Sequence, residues 1–89
     1  MAAGVGGAVW VLDTETAEVR RLPGYDPRDL EWRPGTDELA ITGRSDGSIV
    51  GGNAPIDIYS VSTGEVRTID GVEAAELTWS PDGTTIAYT

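Results

Sequence analysis

Leu77 to Thr89 reads LTWSPDGTTIAYT, and the four residues at its centre, Ser80-Pro81-Asp82-Gly83, decide how the chain folds. Proline holds φ near −65° at the second position of a turn, aspartate bonds nearby backbone from the third, and glycine accepts the left-handed conformation at the fourth. The apolar run ending at Trp79 and the one opening at Ile86 are thereby expected to fold back on each other as a β-hairpin.

The same pattern occurs upstream as LEWRPGTDELAIT, Leu30 to Thr42, with Trp32 and Trp79, Pro34 and Pro81, Ala40 and Ala87, and Thr42 and Thr89 each separated by 47 positions. The alignment runs back without a gap to Val9 and Ile56, laying VWVLDTETAEVRRL over IDIYSVSTGEVRTI. Ten of its 34 paired positions are identical. A tandem period of this length built from short strands is the signature of propeller blades.

WSPDGTTIAYT, preceded by IDIYSVSTGEVRTI, resembles the TolB-type propeller repeat, a WD-repeat-like blade marked by an SPDG turn after a tryptophan. The resemblance covers residues 9 to 89. It implies strands running outward from a central axis as a, b, c and d, with the tryptophan strand innermost and the SPDG turn joining a to b. On that mapping the chain is all-β, about two four-stranded antiparallel blade-equivalents in the order c-d, a-b-c-d, a-b, and an incomplete propeller. Residues 1–8 are expected to be a flexible N-terminus, 9–42 a first propeller repeat, 43–55 a glycine-rich loop and 56–89 a second repeat. The first copy departs from the pattern twice. Arg33-Pro34-Gly35-Thr36 replaces SPDG with a pair that favours a type II turn, and Ala17 stands where Gly64 would accept positive φ.

In chain order, strands are expected at 9–12, 18–22, 30–32, 38–42, 56–61, 65–69, 77–79 and from Ile86 onward. The first, continuously apolar, reads as covered on both faces. Pro23-Gly24 with Tyr25, Asp26 and Pro27 reads as a loop, and Asp70 to Glu76 as a connection too short for a stable helix. Within residues 43–55, Ile49 and Val50 are the apolar residues available to dock, and Asp46 with Ser45 and Ser48 lacks the alternating carboxylates of a calcium loop.

Composition narrows the chemistry. The 89 residues hold no histidine and no cysteine, so neither a Ser-His-Asp nor a Cys-His nucleophile is available, nor a thiolate metal site. Fifteen acidic residues against six arginines give a net charge of −9, which repels phosphate backbones and anionic lipid. Nucleic acid and membrane insertion are therefore not expected. Met1 to Ala8 has no basic n-region and is too short and glycine-rich for the apolar core of a signal peptide. The resemblance allows a periplasmic or extracellular setting and does not exclude the cytoplasm.

Trp32, Pro34, Gly35, Gly64, Trp79, Pro81, Asp82 and Gly83 are read as turn and inter-blade core residues. Asp26, Asp29, Glu31, Glu73 and Glu76 form a candidate interaction rim, a negative mouth that would attract a basic partner. Catalytic residues, cofactors and metals are not expected. Two blade-equivalents cannot close a ring, so the apolar faces carrying Trp32, Ile41, Ile56, Ile58, Leu77, Trp79 and Ile86 are expected to stay wet, at about 25 cal/mol per Å². Either self-association or further blades of a longer chain would cover them. The resemblance implies a non-enzymatic binding or scaffold module with a protein or peptide partner. The alternative it leaves open is the substrate-gating propeller of a prolyl-oligopeptidase-like serine peptidase.

Overall fold

Alternation of side chains across a strand is what builds this molecule, because its central sheet has two faces to fill. The computed structural model describes residues 8–44 and 54–89. Among these are eight strands and no helix: β1 (Ala8–Leu12), β2 (Val19–Pro23), β3 (Tyr25–Trp32), β4 (Glu38–Arg44), β5 (Ala54–Ser60), β6 (Val66–Ala74), β7 (Leu77–Trp79) and β8 (Ile86–Tyr88). They form three antiparallel sheets, a hairpin β1-β2, a meander β3-β4-β5-β6 and a hairpin β7-β8, and the sheets do not close on one another.

The hairpins cover opposite faces of the meander. Leu39 and Ile41 of β4 and Tyr59 of β5 join Val9 and Val11 of β1 in one core, with Tyr25 and the half-buried Leu22 and Val61. The alternate positions, Ala40, Ile56 and Ile58, join Ala74 and Leu77 in a second core, against which Ile69, Val72, Trp79 and Ile86 pack. Ile41, Ile56, Ile58 and Leu77 are thus buried, contrary to the expectation that they stay wet. The three layers shield one another even though no ring is formed. Trp32 is 54% exposed, in keeping with the wet face expected of it: the first hairpin, which covers Leu39 on that side, leaves Trp32 beside an open groove with Val11, Leu12 and Arg20. The first strand is covered on one face only: Val9 and Val11 point inward, whereas Trp10 is 64% and Leu12 59% exposed.

Strand pairing repeats along the chain. Trp10↔Arg21, Val11↔Arg20 and Leu12↔Val19 recur 47 positions on as Asp57↔Thr68, Ile58↔Arg67 and Tyr59↔Val66. Leu30↔Ile41, Glu31↔Ala40 and Trp32↔Leu39 recur as Leu77↔Tyr88, Thr78↔Ala87 and Trp79↔Ile86. The turns repeat as well: the Ala17 amide donates to the Asp13 carbonyl and the Gly64 amide to that of Ser60, both at 2.8 Å.

Two segments expected as irregular are strand. Tyr25, Asp26 and Pro27 open β3, and the register shifts between Tyr25 and Asp29, a bulge that accommodates a proline with no amide to give the ladder. Gly43 lies against that bulge, where a Cβ would collide with the Asp26 carbonyl oxygen and approach the Arg28 nitrogen to 2.9 Å. Likewise β6 continues through Asp70 to Ala74, pairing Glu73 with Pro55 and Ala74 with Ala54 after a second register shift. β4 runs through Arg44 and β5 begins at Ala54, so strands take the ends of the expected glycine-rich loop. The readings made of Met1 to Gly7, Ser45, Asp46, Ser48, Ile49 and Val50 lie outside the described residues.

Candidate functional site

Each hairpin covers part of a face of the meander, and what it leaves uncovered is the candidate site. On the β7-β8 side, a groove of about 350 Å³ runs between the β5-β6 half of the meander and β8. Its floor is Ile56, Ile58, Ile69 and Val72, its wall Trp79, Ile86 and Tyr88, and two guanidinium groups, Arg33 and Arg67, stand beside it.

Arg33 sets the shape of this groove. Its Nε donates to the Gly83 carbonyl at 2.7 Å, its Nη1 to Glu38 Oε1 at 2.7 Å, and its guanidinium lies 5.4 Å from the centre of the Trp79 ring. Trp79 in turn donates its indole N–H to the Glu31 carbonyl at 3.2 Å, and the Leu77 amide donates to Asp29 Oδ2 at 2.9 Å. These bonds tie the β3-β4 turn to the β7-β8 turn. The substitution of arginine for serine at the head of the first turn was the sequence signal for this role, and turn chemistry alone gives it no meaning.

The two turns differ in how they are held. In Ser80-Pro81-Asp82-Gly83 the Gly83 amide closes on the Ser80 carbonyl at 2.9 Å with φ 74° at Gly83. Hydrogen bonds from the Ser80 hydroxyl, then from the Thr84 hydroxyl and amide, hold the Asp82 carboxyl down at about 2. Ser80 Oγ also accepts from the Thr85 amide, so its hydroxyl is engaged in the turn. In Arg33-Pro34-Gly35-Thr36 the Thr36 amide closes on Arg33 at 3.2 Å, with φ 74° at Gly35, and Pro34 and Gly35 are exposed. Gly64, also exposed, has φ 76° at the β5-β6 turn. Asp13 and Asp37 are likewise held below the ordinary carboxylate value, Asp13 chiefly by the Glu15 and Thr16 amides and Asp37 by Ser62.

The opposite core is built around a polar group that sequence reading missed. Asp57 is 1% exposed and accepts from the Tyr25 hydroxyl at 2.6 Å and the Thr68 hydroxyl at 2.8 Å. A buried carboxylate is tolerated when it is hydrogen-bonded in this way. Arg20 reaches across the same interface to the Tyr59 hydroxyl and, at 3.1 Å, to the Val61 carbonyl. Beyond it, Trp10 and Leu12 project outward, with the Arg21 guanidinium 5.7 Å from the Trp10 ring centre.

The acidic rim is only partly assembled. Asp29 and Glu76 line one shallow depression beside β7-β8, whereas Glu73 lines another with Pro55 and Thr68. Glu31 contributes its carbonyl to Trp79, and Asp26 lies exposed on the β3 bulge. Among the described residues no three carboxylates converge as a cation site. An apolar channel beside strand edges that are unpaired among the described residues has the shape and surface to take an extended or hairpin segment. No family model, curated protein or solved structure matches the chain.

Proposed function

We propose that the chain supplies two blade-equivalents of a TolB-like, WD-repeat-like β-propeller and acts as a non-enzymatic binding or scaffold module for a protein or peptide partner. The observation that carries this reading is the strand register that recurs after 47 residues, sheet by sheet and turn by turn. Each terminal hairpin then corresponds to half a blade. On this reading the apolar groove beside β8 is the place for the outer half of the last blade, and Asp29 and Glu76, in the depression beside β7 and β8, would belong to the rim of its inner strands. Repeated sheets of this kind present rigid edges and grooves to partners while contributing little reactive chemistry.

The test is a displayed peptide library panned on the purified chain, followed by titration of the selected peptides on tryptophan fluorescence and mass measurement of each peptide afterwards. Saturable binding with the peptide recovered intact is the expected result. Cleavage or modification of the peptide, or no binder at micromolar concentration, overturns the module reading.

A further inference from the structure

Among the described residues β8 pairs only with β7, and β1 only with β2, so β8 and β1 each keep one free edge. The meander shows how such edges join within this chain. There β4 pairs with β5 as Glu38↔Ser60, Leu39↔Tyr59, Ala40↔Ile58 and Ile41↔Asp57. Advancing the first member of each pair by the 47-residue period gives Thr85, just before β8, and Ile86, Ala87 and Tyr88 on it. Moving the second back by the same period gives Asp13, Leu12, Val11 and Trp10 at β1.

We propose that a second copy of this chain fills the groove, its β1 adding to the free edge of β8 with Ile86 opposite Leu12, Ala87 opposite Val11 and Tyr88 opposite Trp10. The inference rests on the blade reading above and names the partner that completes a blade. β7 and β8 of one chain and β1 and β2 of the next then form one four-stranded sheet, the intermolecular counterpart of β3 to β6.

The exposed side chains fit this arrangement. Within the chain, Tyr59 and Asp57 of β5 face the first hairpin; in the joined sheet their places are taken by Leu12 and Trp10 of the second copy, both largely exposed in the single chain. Tyr25, whose hydroxyl serves Asp57, is replaced at the equivalent position by Val72, which lines the groove. The polar centre of the internal interface therefore becomes an apolar one, matched to an indole and an isobutyl group. Arg67 occupies the place of Arg20, and so faces the turn carrying Asp13, Glu15 and Glu18 in the second copy, an opposite charge. At the inner strands the exposed Trp32 of the second copy takes the role that Trp79 has within the chain, donating to the carbonyl of Thr78 as Trp79 does to that of Glu31. The contact is head-to-tail, so it propagates until a ring closes, at roughly three or four chains for the usual range of blade numbers.

The absence of cysteine makes the register directly testable. Ala87→Cys in one chain and Val11→Cys in another, mixed and mildly oxidised, are expected to give at least tenfold more cross-linked dimer than Ala87→Cys with Val9→Cys. Val9 shares the face of Val11 but lies two residues, about 6.8 Å, out of register. Native mass spectrometry of the unmodified chain is expected to show one discrete oligomer, and Leu12→Glu, at an exposed site, to convert it to a folded monomer. A monomeric unmodified chain, equal cross-linking at both positions, or an unchanged oligomer in Leu12→Glu each overturns the proposal. A monomer that still binds its selected peptide removes the assembly and leaves the module reading. An oligomer that binds none does the reverse.

Discussion

Trp32 and Trp79 occupy the same place in two copies of one pattern, yet their surroundings differ. Trp79 is half-buried, hydrogen-bonded through its indole nitrogen and flanked by Arg33, whereas Trp32 is mostly in solvent. Nothing in the flanking turns explains this, since both strands are paired in the same register with the strand that follows. What differs is the neighbouring layer: β7 lies against β3, so that Trp79 reaches the Glu31 carbonyl, whereas Trp32 borders an open groove with Val11, Leu12 and Arg20 of the first hairpin. Position in a stack, more than residue type, sets how much a repeated side chain contributes. The same contrast separates Tyr59, under the first hairpin, from Leu12, its counterpart 47 residues earlier, which is left outside.

The largest expected effect comes from breaking the covered half of that contrast. Ile58→Ala removes a fully buried side chain from the second core and is expected to cost about 2–5 kcal/mol in denaturant unfolding. A loss below about 0.5 kcal/mol, the range of ordinary surface changes, would show that the last hairpin is not packed on the meander.

Next comes the polar centre of the first core, which has no counterpart in the second. Tyr25→Phe deletes the hydrogen bond that the hydroxyl donates to the buried Asp57 and is expected to cost about 1–3 kcal/mol. The matching change on the other face, Val72→Ala, alters no hydrogen bond. If the two variants lose the same stability to denaturant, the two cores do not differ in the way their contacts indicate.

A smaller effect tests the repeated turn. Ala17 has φ 64° and Gly64 φ 76° at equivalent sites, so the first repeat holds an L-residue in the left-handed region at about 1–2 kcal/mol of steric cost. Glycine there loses about 0.5–1 kcal/mol more conformational entropy on folding. The net expectation for Ala17→Gly is a gain of about 0.5–1 kcal/mol, and for Gly64→Ala a loss of similar size, both readable as opposite shifts in melting temperature. Shifts of the same sign would show that the two turns are not alike.

The smallest effect concerns the two proline turns and appears only in acid. Asp82 titrates at about 2 when folded, against an ordinary 3.8, so the stabilisation it supplies is present above the ordinary value and is lost as pH falls through about 2. Gly35, its counterpart, has nothing to titrate. The melting-temperature difference between the native chain and Asp82→Asn should therefore hold above about pH 4 and shrink toward pH 2. A difference constant down to pH 2 would assign the turn's stability to its proline and glycine alone.

Much of the local design is legible in the residues themselves. The alternating runs and the Pro-Asp-Gly, Pro-Gly and Thr-Gly turns locate the strands that pair as hairpins, because backbone preference and side-chain alternation act over a few neighbours. The bulged openings of β3 and the far end of β6 escaped that reading. Pro27 and Gly71 are turn residues by composition; here each sits in a bulge, Gly71 with φ 73°, and pairing with β4 or β5 on either side of the bulge keeps it within a strand.

The 47-residue translation, the hairpins and the absence of histidine and cysteine chemistry follow from the sequence by itself. The tertiary structure alone decided that Asp57 would be buried against Tyr25, that Arg33 would clamp Trp79 beside a groove, and that Trp10 and Leu12 would be left facing water. The physical reason is one of range. A turn is fixed by the few residues that make it, whereas burial depends on which sheet, some tens of residues distant, comes to lie on which face.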